Sequence, residues 1–277
     1  RIAISSNASP CLSRTWCNEM MKDWDEGEVM ERVAALPEGR GHVAEKAAWP
    51  SPAAMENGRR ALSAEAYEYI RGGLIRSRYK VGQRLVLRPL AAELGLSPTP
   101  VREALLRLVS EQALDLNDRN TAVVPDITPA SFREIHSLRV DLESRLIQAA
   151  ALRATAEELD ALSDVHEQFQ LACARQDEGM MAAGNADFHA MLAGIADLPL
   201  TANILHNLWA RIGPLYALAR TAPPARPAGM RHPHDDLIAA LRAHDPEAAT
   251  RALIIDADYA RSWIEPLLSQ GMVQDQP

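Results

Sequence analysis

The stretch GLSPTPVREALLRL, residues 95–108, places anion-binding groups at the start of a helix. Ser97 is a residue type that caps helices, and Pro98 suits the first turn, where the backbone N–H has no partner within the helix. Thr99 adds a hydroxyl, and Arg102 adds a guanidinium about one turn further along. Because a helix start offers free N–H donors and partial positive charge, this stretch indicates a surface for an anionic partner.

Charge is unevenly distributed along the chain, whose formal net charge is −8. Residues 59–126 contain eleven Lys and Arg against eight Asp and Glu, so this segment carries +3 and the remainder carries −11. A basic segment in an acidic protein fits local contact with a polyanion. On charge alone, a chance fluctuation explains the asymmetry equally well.

The composition is that of a helical protein large enough for two modest domains. The 277 residues are 47% hydrophobic and only 5% aromatic, and Ala, Leu, Arg and Glu are plentiful, which favours helices. We find neither a run of about eighteen uncharged apolar residues nor the apolar core of a secretory signal. Three scattered cysteines do not suggest a disulfide framework. We therefore expect a soluble, cytoplasmic protein without membrane contact.

A domain predicted over residues 59–127 should position the anion-binding stretch. A first helix covers about 62–78, and a second, in LRPLAAELGL, ends at Gly95. The third runs from Ser97 to about residue 112. Two β-prone runs then flank Asn120, which tolerates a left-handed backbone, and so predict a hairpin. This order is that of a winged helix-turn-helix domain. The side chains predicted to face inward are Leu62, Ala66, Tyr69, Ile70 and Leu74 in the first helix, and Val101, Leu105, Leu106, Leu108 and Val109 in the third.

The rest of the chain is predicted to be helical, so the fold class is mostly α, with an all-α antiparallel helical bundle after the winged domain. The bundle should occupy residues 128–270, followed by a tail at 271–277. Pockets form between the helices of such bundles. Residues 1–58 lack a sustained period and are expected to be disordered, with Met55 as a candidate natural start. The six helices are expected over 129–153, 155–176, 178–195, 198–220, 232–243 and 246–268, with one long loop at 221–229.

The sequence resembles the GntR family of bacterial transcription regulators, in the FadR-type branch with an FCD effector domain. The resemblance covers about residues 62–268. It rests on LAAELGLSPTPVREALLRL, on R-x-x-x-E at 139–143, on D-F-H at 187–189, on H-x-x-L-I-x-A-L from 234 and on H-D-P-E-A-A at 244–249. It implies a homodimeric regulator, usually a repressor, that binds a short inverted repeat in double-stranded DNA and responds to an organic acid.

The resemblance also implies which residues meet DNA. Arg102 would reach a guanine edge in the major groove, and the wing tip would touch the minor groove. The alternative for Arg102 is a solvated side chain paired with a nearby acid. Two departures stand out, because Pro98 replaces an Arg usual in the family and Asn120 replaces the usual Gly of the wing. The expected DNA-binding residues are Arg88, Ser97, Thr99, Arg102 and Asn120.

A divalent metal in the helical domain is a further implication of the resemblance. FCD domains commonly hold one between an Asp, a His four residues later and two further His. Two nitrogen and two oxygen ligands would suit Zn, Ni or Mn, more weakly than Asp with three His. Asp187 lies two positions from His189, hence on the opposite side of the helix, and is discounted as a ligand. His232 stays open as an additional ligand. The alternative to a metal site is that these histidines are ordinary core or surface residues. The positions matching the family ligands are Asn185, His189, His234 and Asp256.

A small carboxylate is the effector class that the resemblance implies. Arg139 and Glu143 match a family pair in which an inward arginine meets the effector or holds the helices together. A surface ion pair four residues apart is the alternative. Arg211 is a second candidate for the same pocket, whereas Trp209 and Tyr216 are interpreted as packing residues.

The expected function is ligand-responsive regulation of transcription through DNA binding, not catalysis. One alternative is a metal-dependent hydrolase or lyase that uses His189 and His234, although the chain contains no G-x-S-x-G, H-E-x-x-H, P-loop or dinucleotide-binding motif. Another is a helical scaffold with a degenerate DNA-binding module, which only Pro98 makes credible.

Overall fold

The computed structural model describes residues 52–220 and 231–269, with side chains described over 60–216 and 231–269. The expectations for residues 1–51, for the loop at 221–229 and for the tail at 271–277 lie outside these ranges, and the side chain of Met55 does too. The first helix, α1, spans Pro52–Ile75. The expectation of disorder is therefore wrong for residues 52–58, which are helical, and the helix ends three residues before the predicted end at residue 78.

Residues 60–124 form the predicted winged helix-turn-helix module. Helix α2 spans Leu87–Glu93 and helix α3 spans Pro98–Ser110. The predicted hairpin is confirmed, because β2 (Asp115–Leu116) pairs antiparallel with β3 (Ala122–Val123). A third strand, β1 (Arg84–Leu85), pairs with the other edge of β3 and was not among the predicted strands. A two-residue strand has no period of its own, and only its long-range pairing defines it.

The core of the winged module is mostly the one predicted, with two errors. Ile70, Leu74, Val101, Leu105 and Leu108 are buried as expected. Leu62 and Leu106 were predicted to face inward, but they are 41% and 54% exposed. Successive residues of a helix are rotated by about 100° around its axis. Because α3 buries Leu105 and Leu108, Leu106 points to the exposed side of this helix.

Two turns have the backbone that their residue types predicted. Gly95 follows α2 with φ of +62°, and Asn120 lies at the tip of the wing with φ of +54°. Glycine has no Cβ to oppose this left-handed conformation, and Asn is among the few other residues that adopt it readily. The wing therefore keeps a tight tip although it carries Asn where glycine would be less strained.

Six further helices lie in the described residues after the wing, and their bounds agree with the predicted spans within three residues. All six contribute side chains to one hydrophobic core, which contains fully buried Leu162, Phe188, Leu205 and Leu253. The helices are α4 (Pro129–Arg153), α5 (Ala156–Arg175), α6 (Glu178–Ala196), α7 (Pro199–Arg220), α8 (Pro233–Arg242) and α9 (Pro246–Ser269).

Local capping explains why these bounds could be predicted. The Thr128 hydroxyl accepts a hydrogen bond from the Ser131 N–H at the start of α4. At the start of α5, Thr155 and Glu158 form a reciprocal capping box. Such contacts satisfy the first N–H groups of a helix from neighbouring residues, so the signal is contained in a few letters of sequence.

Candidate nucleic-acid interface and ligand cavity

The start of α3 presents the predicted anion-binding groups to solvent. Ser97, Thr99 and Arg102 are all exposed, and Pro98 occupies the first turn as predicted. Ser97 has the extended backbone of a capping residue, but its side chain forms no capping hydrogen bond. The predicted capping bond of Ser97 is therefore wrong, and its exposed hydroxyl lies at the helix start beside that of Thr99.

Arg102 differs from the other arginine of α3 in what surrounds it. Arg107 forms an ion pair with Glu111 at 2.9 Å, and its guanidinium lies 3.8 Å from the centre of the Tyr67 ring. Over the described residues, no carboxylate pairs with Arg102. The alternative in which a nearby acid neutralises Arg102 has no partner there, and the guanidinium is presented to solvent.

The remaining predicted DNA contacts also lie on exposed parts of the winged module. Arg88 is exposed in the first turn of α2, and Asn120 is exposed at the wing tip. The exposure of Leu106 was not predicted, because its apolar side chain suggested burial. It lies four residues after Arg102, hence on the same exposed face of the recognition helix, where an apolar side chain can contact a thymine methyl group.

In the helical bundle, three of the four predicted metal ligands converge. His189 on α6, His234 on α8 and Asp256 on α9 each offer a ligand atom, and these atoms lie within 4.8 Å of one another. The Asp256 Oδ2 is 3.4 Å from His189 Nε2 and 3.7 Å from His234 Nε2. All three side chains are buried. The distances exceed ordinary hydrogen bonds and leave room for an ion between the groups.

The protonation states at this cluster suit a metal ion. Burial opposes ionisation of Asp256, but the adjacent His234 and His189 hold its pKa well below the usual value. Burial lowers the pKa of His234 to about 4, so its imidazole is neutral at pH 7. The Nε2 atoms of His189 and His234 are buried without a hydrogen-bond partner in the part of the chain described. A carboxylate beside imidazoles with unsatisfied nitrogens fits a divalent cation such as Zn.

Asn185 and the two alternative ligands have distinct surroundings. Asn185 lines the same cavity as His189 and Asp256, one helical turn before His189. Asp187 instead bonds to Arg76 at 2.5 Å, which keeps it out of the cluster. His232 caps α8, since its Nδ1 accepts the His234 N–H at 3.1 Å. His232 also groups with His166 and His234 within 4.8 Å, so it stays close to the predicted site.

A cavity of about 670 Å³ opens beside this cluster. Arg139 lies at its wall, buried, with its Nε 2.6 Å from Glu143 Oε1 and a further hydrogen bond to the Tyr216 hydroxyl. The Trp209 indole N–H donates to the same Glu143 oxygen at 2.7 Å. The alternative of a surface ion pair for Arg139 and Glu143 is therefore wrong, and Trp209 and Tyr216, interpreted as packing residues, also line the cavity.

Electrostatics keep this arginine charged inside the protein. Burial opposes its charge, but Glu143 and Tyr216 more than compensate and hold the pKa of Arg139 above its ordinary value. The positive charge is thus already matched by a carboxylate. Arg139 can still direct a remaining N–H toward the cavity, because a guanidinium has five donors.

Arg211 does not reach the cavity. Its guanidinium donates to the backbone carbonyl of Gln112 and lies 3.3 Å from Asp115 Oδ1, at the base of the wing. The structure therefore contradicts the expectation that Arg211 faces the effector pocket. The residue joins α7 to the winged module instead.

Further contacts between the winged module and the bundle lie next to the cavity. Arg76, just after α1, pairs with Asp187, which lies between Asn185 and His189 on α6. The Ser77 hydroxyl donates to the carbonyl of Gly213 at 2.7 Å. A side chain at Gly213 would collide with the carbonyl of Leu74, so only glycine allows α7 to approach α1 this closely.

The cavity wall itself includes residues of this junction. Ile75 and Ser77 from the winged module line it together with Ile212 and Gly213 from α7. These contacts were not predicted, because the partners are more than a hundred residues apart and no local pattern of the sequence pairs them. A ligand in the cavity would consequently touch both modules.

A winged helix-turn-helix module joined to a helical bundle with a ligand cavity defines a class of proteins, the ligand-binding transcription regulators. Residues 62–124 match the family described as bacterial regulatory proteins, gntR family, and residues 134–255 match the FCD domain. The chain is 33% identical over 175 residues to the HTH-type transcriptional regulator McbR of Escherichia coli K12. These residues make up 63% of this chain and 79% of McbR. The chain belongs to the GntR family and carries an FCD domain.

Solved structures and a second relative agree with this assignment. The structure of E. coli McbR/YncC has a TM-score of 0.67 at 30% identity, over 76% of this chain and 98% of that one. The HTH-type transcriptional repressor RspR of E. coli K12 is 23% identical over 194 residues, 69% of this chain and 84% of RspR. A putative GntR regulator from Rhodococcus sp. RHA1 shares the fold, with a TM-score of 0.53 at 17% identity over 78% of this chain and all of that one.

Membership in this family settles the class of function. The chain is a DNA-binding transcription regulator, and the alternative of a hydrolase or lyase is set aside because the family and these relatives are regulators. None of the described helices is long and apolar enough to cross a membrane.

Proposed function

We propose that this protein is a repressor that binds a short inverted repeat as a homodimer and is controlled by a carboxylate effector. The exposed group of Ser97, Thr99 and Arg102 at the start of α3 supports direct contact with DNA. Arg88 and the wing tip at Asn120 would contact phosphates and the minor groove on either side. An inverted repeat follows from two-fold symmetry, since each protomer offers one recognition helix.

A divalent metal is the second part of the proposal. His189, His234 and Asp256 would hold it, with the amide oxygen of Asn185 as a fourth ligand from the cavity side. When bound, the metal supplies positive charge to a cavity whose arginine is already paired with Glu143. Arg139 would then orient an effector carboxylate from the opposite side through its remaining N–H groups.

The response to the effector would pass through the junction between the modules. Asp187 holds Arg76 from the helix that also carries Asn185 and His189, so a shift of α6 on ligand binding changes this ion pair directly. Ile75 and Ser77 contact the cavity itself. The ligand shifts the protein only if it binds the DNA-competent and DNA-incompetent arrangements with different affinities.

The observation that carries this proposal is the cavity, which adjoins the buried His–Asp cluster and contacts the DNA-binding module. The test is a gel shift with DNA from upstream of the protein's own gene, with and without zinc plus a carboxylate. We expect a retarded complex of two protomers per operator that weakens when both are added. A protein that retards no DNA more than a scrambled sequence would instead be a helical scaffold with a degenerate module.

A further inference from the structure

Helix α4 carries a stripe of apolar side chains on the side that faces away from the core of the bundle. Leu138 and Leu152 are 46% and 71% exposed, and Leu142 and Ala149 between them are half-buried. Arg145 lies at the centre of this row, which we name the α4 stripe. From residue 138 to residue 152 it runs about 21 Å along the helix axis. A single exposed leucine is ordinary, but a row of apolar side chains along one helix marks a contact surface.

The positions of the α4 stripe follow the spacing of a seam between two helices. Successive members are four, three, four and three residues apart, which keeps them on one face of α4. In coiled coils this spacing packs the apolar positions of one helix against those of another, and a single polar residue in the row fixes the register. Arg145 is the polar residue of this row. The α4 stripe therefore fits a second helix rather than a small molecule.

The α4 stripe is also complementary to a second copy of itself. A two-fold axis at Arg145 would place two copies of α4 antiparallel to each other. Leu138 would then pack against the partner's Leu152, because the two positions are equally far from Arg145 in opposite directions. Leu142 would pack against the partner's Ala149 in the same way. The same patch thus serves both protomers, as a two-fold symmetric interface requires.

Charges on the exposed side of α4 fit the same antiparallel pairing. Asp141 lies one turn before Arg145, and both side chains are exposed. Neither forms an ion pair within the described residues, although residues four apart on a helix can pair with each other. In the antiparallel arrangement, each Arg145 comes within reach of the partner's Asp141, one turn away across the seam. Two symmetric ion pairs would then offset the repulsion between the two arginines at the axis.

Further exposed apolar side chains extend this surface at the end of α4. The Arg153 guanidinium donates to the Ala196 carbonyl at 3.0 Å and pairs with Asp197 at 2.9 Å, so the end of α4 meets the turn before α7. In the first part of α7, Leu200 and Ile204 are both exposed. They lie four residues apart and hence on one face of that helix. A partner that packs on the α4 stripe finds additional apolar surface there, and interfaces of ordinary size need more than one helix.

We infer that the α4 stripe is the face through which two copies of this chain pair, with their α4 helices antiparallel and Arg145 at the two-fold axis. This inference rests on the proposed function, which requires a homodimer, and it adds where the protomers meet. Another face of α4 carries Arg139, which lines the cavity. One helix therefore connects the effector site with the contact that sets the spacing of the two recognition helices.

The test is sedimentation velocity of the full chain at micromolar concentration. We expect the wild type to sediment with twice the chain mass of 30.4 kDa. Leu138→Asp places a charge in the apolar seam at two symmetric positions, so the dissociation constant of the dimer should rise about a hundredfold, about tenfold for each position. The matched control is Leu171→Asp, which changes an equally exposed leucine on α5 and should leave the dissociation constant unchanged.

A charge reversal tests the antiparallel register. Arg145→Asp brings four carboxylates together near the axis, so it should weaken the dimer about tenfold. The double variant Asp141→Arg/Arg145→Asp exchanges the two charges and keeps the cross-axis pairs. Its dissociation constant should therefore return to within about threefold of the wild-type value.

The inference is overturned by a monomeric wild type, by a dimer that withstands both Leu138→Asp and Arg145→Asp, or by an equal loss in Leu171→Asp. A double variant as weak as Arg145→Asp overturns the antiparallel pairing. Because Arg145 is exposed, its substitution decides the matter even if Leu138→Asp fails to fold. Operator binding by the same wild-type sample reports on the proposed function separately. A dimer that binds operator and withstands the substitutions contradicts only the location of the interface, whereas a dimer that they dissociate but that binds no operator contradicts DNA regulation.

Discussion

Changing Asn185 to Asp should destabilise the metal-free protein and stabilise the zinc-bound protein. In the metal-free protein, a carboxylate at residue 185 would add a second negative charge to the cavity wall that Asp256 also lines, and we expect a loss on the order of 1 kcal/mol in the free energy of unfolding. With zinc, the new carboxylate replaces a weak amide ligand and adds a negative charge. Zinc should then bind about tenfold more tightly, which adds about 1.4 kcal/mol at saturation.

The assay is thermal unfolding of wild type and Asn185→Asp after chelation and again with excess zinc. For a protein of this size, 1.4 kcal/mol enlarges the zinc-induced rise in Tm by about 3–6 °C relative to that of wild type. The control is Asn117→Asp, the same substitution in the wing, where the side-chain oxygen that accepts from Arg119 and Thr121 is kept; it should leave the zinc-induced shift unchanged. His189→Ala and His234→Ala should abolish most of it. If these two variants respond to zinc as wild type does, the cluster is only part of the packed core.

Three further predictions concern the DNA surface, the junction and the buried histidines. Arg102→Ala should weaken specific DNA binding by about 1–3 kcal/mol and relax the preference for one guanine. Arg88→Ala should weaken binding to all DNA sequences alike and flatten the salt dependence. Equal anisotropy titrations for Arg102→Ala and wild type would exclude a contact between Arg102 and DNA. Burial raises the pKa of Asp187 although Arg76 opposes this, so the ion pair does not fully offset the cost of burying the carboxylate. Asp187→Asn should therefore lower the free energy of urea unfolding by only about 0.5–1 kcal/mol. A larger loss would contradict this weak pairing. Burial lowers the pKa of both His206 and His234 to about 4, against about 6.5 in the unfolded chain. The free energy of unfolding of the chelated protein should therefore be highest above about pH 6.5 and decline toward pH 4, because the unfolded chain takes up protons first. Equal urea midpoints at pH 7 and pH 5 would contradict this prediction.

The sequence predicted what local chemistry determines. The six bundle helices could be bounded because Thr128, Thr155 and similar residues cap helices through contacts within a few positions. The wing could be placed because Asn120 adopts the left-handed backbone that its residue type suggested. The convergence of His189, His234 and Asp256 could also be predicted, because the family resemblance had already assigned these positions to one site.

Other features depend on contacts that no local pattern encodes. Strand β1 exists only through pairing of Arg84–Leu85 with β3. Arg211 was assigned to the cavity from its helix alone, but partners in the wing determine its direction. Leu106 is apolar yet exposed, which a rule that buries apolar side chains cannot anticipate. The junction around Arg76 and Gly213 was missed for the same reason, since it forms only when the two modules pack together.

The central claim is that this chain binds a specific DNA sequence and that a ligand in the FCD domain changes that affinity. The most direct measurement is fluorescence anisotropy of labelled DNA from upstream of its own gene, at fixed salt, beside a scrambled DNA of equal length. We expect binding to be at least about a thousandfold tighter for the upstream DNA, and markedly weaker once zinc and a small carboxylate are added. Equal affinity for the two DNAs, unaffected by zinc and acid, would contradict the account.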